Sequence, residues 1–196
     1  MSFWDDAYLS SPPWDTGHPQ PAFVDLVRHG EIRLGRVLDV WCGMGNNAIF
    51  LEKSGFSVVG IDIVPSAIRL AKTKAIEQDA KVDFRVCNAL ELHLLFERGE
   101  FDNVIDSGFF HTLMDQERPV FARQINRVLR NSGNYFMLCF SDKEPDWGGP
   151  RRVTKYEIKQ TFSQMFRINY IRETFFANRI RTKGARAYIT SAIKVS

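Results

Sequence analysis

Aspartates, glycines and one histidine form the part of this sequence with the chemistry to hold and use a ligand. Val37-Leu38-Asp39-Val40-Trp41-Cys42-Gly43-Met44-Gly45-Asn46-Asn47 reads as an apolar strand that runs into a glycine-containing turn and then a helix. Glycines there let the backbone approach a ligand closely, and the helix N-terminus favours the ligand's negative end. Seventeen residues after Gly45, Val58-Val59-Gly60-Ile61-Asp62 ends on a carboxylate, placed where an acid accepts bonds from two ribose hydroxyls. Together they point to a nucleoside-bearing cofactor. Gly43-Met44-Gly45-Asn46-Asn47-Ala48 also satisfies the G-x-G-x-x-G/A dinucleotide fingerprint, so an NAD-dependent oxidoreductase is a rival, and a plain strand-to-helix turn is the bland alternative. Against the dinucleotide stands Asp39, a carboxylate at the strand end that suits the ammonium of an amino-acid moiety and not a pyrophosphate. Tyr156 is followed four residues later by Gln160, so it does not form the Tyr-x-x-x-Lys pair that would deliver a proton in a reduction.

For acid–base work the best candidate is His111, whose ordinary pKa lies near working pH, with Asp106 a few residues before it. Trp4, Tyr8, Trp14, Phe109, Phe110 and Trp147 are the aromatics available for a substrate cage, with core packing as their ordinary alternative. His18, His29 and His93 read as structural or solvated. The four histidines lack metal-ligand spacing, and Asp102 with Asp106 lies on a strand, so no metal site is expected. Cys42, Cys87 and Cys139 are far apart in apolar segments and read as reduced core thiols. Arg179, Arg181, Lys183 and Arg186 form a basic run that most simply serves as a solvated turn, and the residues after Asp106 lack the Pro-Pro sequence used on flipped adenines.

These residues need a frame, and the frame is legible as alternation. From Arg36 onward short Val/Ile/Phe-rich runs alternate with stretches of helical period, the pattern of repeated βαβ units. Strands are expected at Arg36–Val40, Ser57–Asp62, Val82–Cys87, Phe101–Asp106 and Tyr135–Phe140, and helices at Asn46–Lys53, Pro65–Gln78, Pro119–Arg130 and Thr154–Met165. Phe166–Phe176 and Ala187–Val195 read as a terminal hairpin around the polar turn Asn178–Gly184. Residues 1–35, with two tryptophans and four prolines, read as a lid and N-terminal helix, and 36–196 as the α/β core of one domain. A length of 196 residues and a net charge of +3 favour one domain with a small-molecule partner, not nucleic acid or membrane. With no long apolar run and no leader-like start, a cytoplasmic protein is expected.

At these positions the sequence resembles class I methyltransferases. Asp39 to Gly45 is similar to their first motif and Val59 to Ile63 to their ribose-binding strand. Phe101-Asp102-Asn103-Val104-Ile105-Asp106-Ser107-Gly108 is similar to the fourth-strand motif, and Arg127-Val128-Leu129-Arg130-Asn131-Ser132-Gly133 to the helix end before strand five. Phe3-Trp4-Asp5-Asp6 and Pro13-Trp14-Asp15-Thr16-Gly17-His18-Pro19 resemble the opening segment of the thiopurine, thiol and halide methyltransferase group, which folds over cofactor and substrate. The resemblance implies a doubly wound, seven-stranded, mostly parallel sheet with a C-terminal antiparallel hairpin, and S-adenosylmethionine across the strand ends. It further implies Asp39, Gly43 and Gly45 around the methionine part, Asp62 and Ile63 at ribose and adenine, and Asn88 with Ala89 at the adenine edge, with Trp14 and Trp41 also among the cofactor-binding residues. Asp106 and Ser107 would line the methyl-transfer side, with Trp4, Tyr8, Phe110, His111 and Trp147 toward the substrate. The implied acceptor is a small nucleophile: thiol first, phenolic hydroxyl second, halide third. Trp41 departs from the pattern, which has Gly or a small residue there. An indole competes for space with the amino-acid tail, so the alternatives are a rebuilt turn or a non-catalytic, methyltransferase-like binding module.

Overall fold

A computed structural model describes residues 12–195. Trp4 and Tyr8 lie outside the described residues. Helix α1 (Pro21–Arg28) precedes β1 (Arg36–Val40), α2 (Asn46–Lys53), β2 (Ser57–Asp62), α3 (Pro65–Glu77) and β3 (Asp83–Val86). Then come β4 (Phe101–Ser107), α4 (Glu117–Val128), β5 (Leu129–Phe140), α5 (Lys155–Phe162), β6 (Phe166–Phe176) and β7 (Ala185–Lys194). The seven strands form one sheet in the order β3-β2-β1-β4-β5-β7-β6, parallel except that β7 runs antiparallel to both neighbours.

The strands β1 and β2 are apolar almost throughout because helices cover both faces of the sheet. Side chains alternate: Leu38 and Val40 pack with Phe121 and Ile125 of α4, whereas Val37 packs with Ala48 and Leu51 of α2. By the same alternation Asp39 shares the α2 face with Val37. Chain order reverses between β1 and β4, which leaves a crevice at their carboxyl ends.

Helix starts follow local chemistry. Pro21 and Pro65 occupy first-turn positions, where the missing N–H costs nothing. Thr154 caps α5 through a box in which its Oγ1 accepts from the Glu157 amide at 3.1 Å, while the Thr154 amide donates to the Glu157 carboxylate at 2.7 Å. Several expected boundaries shift. Helix α4 begins at Glu117, with Pro119 still inside its first turn, and ends at Val128. Strand β5 begins at Leu129, six residues before the expected Tyr135, and β7 begins at Ala185, two before Ala187. Strand β7 is longer because pairing with β6 continues through Arg186, and β5 because Leu129 pairs with Phe101 across an irregularity before the ladder resumes at Asn134. Among the described residues no helix is long and apolar enough to cross a membrane.

Candidate active site

A cavity of about 940 Å³ opens at the carboxyl ends of β1 and β4. Its floor is the turn after β1, contributing Trp41, Cys42, Gly43 and Met44, together with Ser107 and Gly108 after β4. The N-terminal segment covers one side through Pro13, Trp14, Asp15, His18 and Gln20. The far wall comes from His111 to Met114, from Phe140 and Trp147 to Arg151, and from Phe176 to Arg181.

The turn is held open by its backbone. Trp41, Gly43 and Gly45 all take left-handed conformations, with φ of 59°, 53° and 78°. A Cβ at Gly45 would lie 2.5 Å from the Phe84 ring, so this position admits glycine alone. Asp62 fixes the turn from the neighbouring strand, accepting from the Gly43 amide at 3.0 Å and the Val64 amide at 2.9 Å. Burial pushes its pKa up to about 6, against the pull of those amides.

Asp39 is fully buried, and among the described residues neither carboxylate oxygen has a hydrogen-bond partner. Burial pushes its pKa well above the usual carboxylate range, and the Asp106 and Asp62 carboxylates push it further. The Ala48 amide pulls the other way without reaching hydrogen-bond geometry. An unsatisfied buried carboxylate is costly unless a cation or donor completes it.

Of three residues expected to work directly on a substrate, Asp106 and Phe110 lie away from the cavity and His111 lines it. Asp106 is fully buried and does not line the cavity; it accepts from the Phe109 amide at 2.8 Å, the Phe110 amide at 3.2 Å and the Tyr135 hydroxyl at 3.1 Å. Burial lifts its pKa to about 7 over the effect of those donors. It shapes the turn after β4. Phe110 is buried against Phe162 and beneath the Arg118 guanidinium, because adjacent residues on this turn face opposite ways and its neighbour His111 takes the cavity side. His111 lines the cavity and stacks on Phe140, but its Nδ1 accepts the Phe140 amide at 3.0 Å. That bond assigns the ring proton to Nε2, so the neutral ring is a donor. Burial, then the Arg152 and Arg118 charges, lower its pKa to about 3, which opposes protonation of the ring.

Among the other expected residues, Trp14, Trp41, Gly43, Ser107 and Trp147 line the cavity. Gly45, Asp62, Ile63, Asn88 and Ala89 lie outside its wall, the last four at the ends of β2 and β3. Asn88 caps a short 3-10 turn by accepting from the Leu90 amide at 3.0 Å. The cysteines are unbridged, and among the described residues no cluster of three or more metal-ligating side chains occurs. Sequence reasoning missed Gln20, which donates to the Ala177 carbonyl at 3.0 Å and accepts from its amide at 2.8 Å. It also missed Asn47, whose Oδ1 accepts the Gln20 amide at 2.8 Å, and Glu144, which binds Trp147 and Arg181. Gln20 and Asn47 carry no local signal because their partners are distant in the chain, and Glu144 joins Trp147, three residues on, to Arg181 and Arg186, about forty residues on.

A model of the methyltransferase domain matches residues 37–133, from β1 into β5. A 2-heptyl-1-hydroxyquinolin-4(1H)-one methyltransferase of Mycobacteroides abscessus is 33% identical over 163 residues, covering 82% of this chain and 70% of that one. The chain belongs to the S-adenosylmethionine-dependent methyltransferases. A probable thiol methyltransferase 2 of Arabidopsis thaliana is 28% identical to this methyltransferase over 165 residues, covering 80% and 70% of the two chains. A structure solved in work on the conversion of a disulfide bond into a thioacetal group during echinomycin biosynthesis superposes with a TM-score of 0.86. It is 30% identical and covers 98% of this methyltransferase and 91% of its own chain.

The residues present fit S-adenosylmethionine. The orphaned Asp39 carboxylate needs a cation, the left-handed turn brings backbone amides close, and the crevice at the strand reversal is large enough for cofactor and acceptor together.

Proposed function

We propose that this methyltransferase acts on a soft sulfur nucleophile carried on an apolar, ring-sized frame. The observation that carries the reading is the committed Nδ1 of His111: the histidine best placed to take a proton already bears one on Nε2. An acceptor that ionises by itself needs no such base, and a thiol, with a free pKa of about 8.5, does so more readily than a phenol near 10. The wall formed by Phe140, Phe176, Trp147 and Leu113 suits an apolar ring. A bare halide would leave most of about 940 Å³ to water. The thiol methyltransferase relative and the disulfide chemistry of the echinomycin study agree with sulfur.

When bound, the cofactor supplies an electrophilic methyl group on a sulfonium. In this reading Trp14, Asp39, Trp41, Gly43 and Gly45 hold its methionine part, and Asp62, Ile63, Asn88 and Ala89 its ribose and adenine. Ser107 and Gly108 form the surface over which acceptor and donor align, and the N-terminal segment excludes water. The His111 Nε2–H donates to the acceptor or its ring and orients it. A second reading, methylation of an acidic N-hydroxy oxygen on a heteroaromatic ring, is favoured by the hydroxyquinolone relative.

The test is kcat/KM against pH for a series of aryl thiols of differing acidity, with phenols in parallel. An inflection that tracks each thiol's own pKa supports the reading. A fixed inflection across the series means that a protein group takes the proton, and a faster phenol series transfers the assignment to oxygen.

A further inference from the structure

Trp41 stands where the family turn has a small residue, and its backbone is left-handed at φ 59°, a conformation unfavourable for a bulky side chain. The indole has not been driven into the core to relieve this. It is half-buried, leans on the Phe109 ring with centroids 4.8 Å apart at 32°, and contributes to the cavity floor. It shares that floor with Gly43 and Met44 on one side and Ser107 and Gly108 on the other. A molecule touching both the glycine turn and the surface at Ser107 and Gly108 shares the cavity with this ring.

The only charge that methyl transfer removes from the cofactor is that of its sulfonium, which becomes a neutral thioether once the methyl group has left. Near the floor, the buried Asp39 is matched to the ammonium, a charge that donor and product share. A preference for donor over product therefore needs a second group that responds to a cation, and an indole face is the strongest such group among uncharged side chains.

We propose that Trp41 is the specificity-determining residue that makes the site favour the cationic methyl donor over its neutral, demethylated product. This rests on the functional reading above. The indole attracts the sulfonium through its ring face and gives the thioether only van der Waals contact, so the product leaves more readily than the donor.

Equilibrium titration of S-adenosylmethionine and S-adenosylhomocysteine into wild-type, Trp41→Phe and Trp41→Leu protein tests this, with circular dichroism as the check on folding. Trp41→Leu is expected to weaken donor binding about tenfold and product binding less than twofold, and Trp41→Phe to weaken donor binding by about two- to fivefold. Equal losses for both ligands, or tighter donor binding in either variant, overturn the proposal and make the indole a shape element or an obstruction. If Trp41→Leu does not fold, the Phe variant decides, and an unchanged donor-to-product ratio there overturns it. Wild-type protein that binds neither ligand overturns the functional reading itself, an outcome separate from a lost preference.

Discussion

Asp39, buried near the end of β1, and His111, on the cavity wall, are both pushed toward their neutral forms by burial. Asp39, with no hydrogen-bond partner among the described residues and a raised pKa, is biased toward its neutral form until a cation arrives. Binding of S-adenosylmethionine is therefore expected to ionise it and release a proton. Calorimetry in buffers of different ionisation enthalpy would detect this, and Asp39→Asn should bind without release and about tenfold or more weakly. His111→Asn keeps both an acceptor for the Phe140 amide and a donor toward the cavity. It should lower kcat/KM by roughly tenfold without moving the pH inflection; loss of an inflection would restore the histidine as a base. The sequence singled out Gly43 and His111, which line the cavity, and Asp39 and Gly45, which flank the same turn behind its wall, because turn geometry and chemistry restrict those residue types. It could not reveal the tautomer of His111, which depends on an amide 29 residues further along.

The far wall of the cavity depends on two connections that Glu144 ties together. One follows β5 and carries Trp147 to Arg151; the other joins β6 to β7 and carries Asn178 to Arg181. Glu144 is buried, accepts from the Trp147 indole at 2.6 Å and the Arg186 amide at 2.7 Å, and pairs with Arg181. Burial would raise its pKa, but these three partners outweigh burial and hold it below the ordinary range. Glu144→Ala leaves buried donors unsatisfied and should cost about 1–3 kcal/mol, measured by denaturant unfolding. It should raise acceptor KM by about tenfold while cofactor affinity stays within twofold, since the β1 turn is untouched. Thr154→Ala removes the capping box of α5 at about 1 kcal/mol, a fall of roughly 2–4 °C in melting temperature, without altering either affinity. The capping box and proline starts could be read locally. The extensions of β5 and β7 could not, because their pairing is decided across the sheet.

For the molecule as a whole, buried acids at the strand ends set how stability varies with pH. Asp106 at about 7 and Asp62 at about 6 keep protons in the folded state that the unfolded chain loses near 3.9. Their contribution is complete below about pH 4 and lost as pH rises to about 7. His111, at about 3, has the opposite effect: its contribution is complete above about 6.5 and lost as pH falls. The raised acids, Asp39 among them, outweigh the one histidine, so the ligand-free protein should be more stable at pH 5.5 than at pH 7.5, and His111→Asn should enlarge the difference. Urea unfolding across that range checks both, and equal midpoints at the two pH values would contradict the assignment. The parallel half of the sheet was legible because strands covered on both faces must be apolar throughout, whereas the cavity's outer wall arises from loops with no periodicity. That division has an evolutionary consequence. In the proposed reading the donor-facing surface is drawn from the short turns after β1, β2 and β3, whereas the acceptor-facing surface is assembled from longer, exchangeable connections after β4, β5 and β6. New acceptors can be gained by grafting or lengthening those connections while the donor turns are inherited intact, so a library confined to them is the natural place to select a changed substrate range.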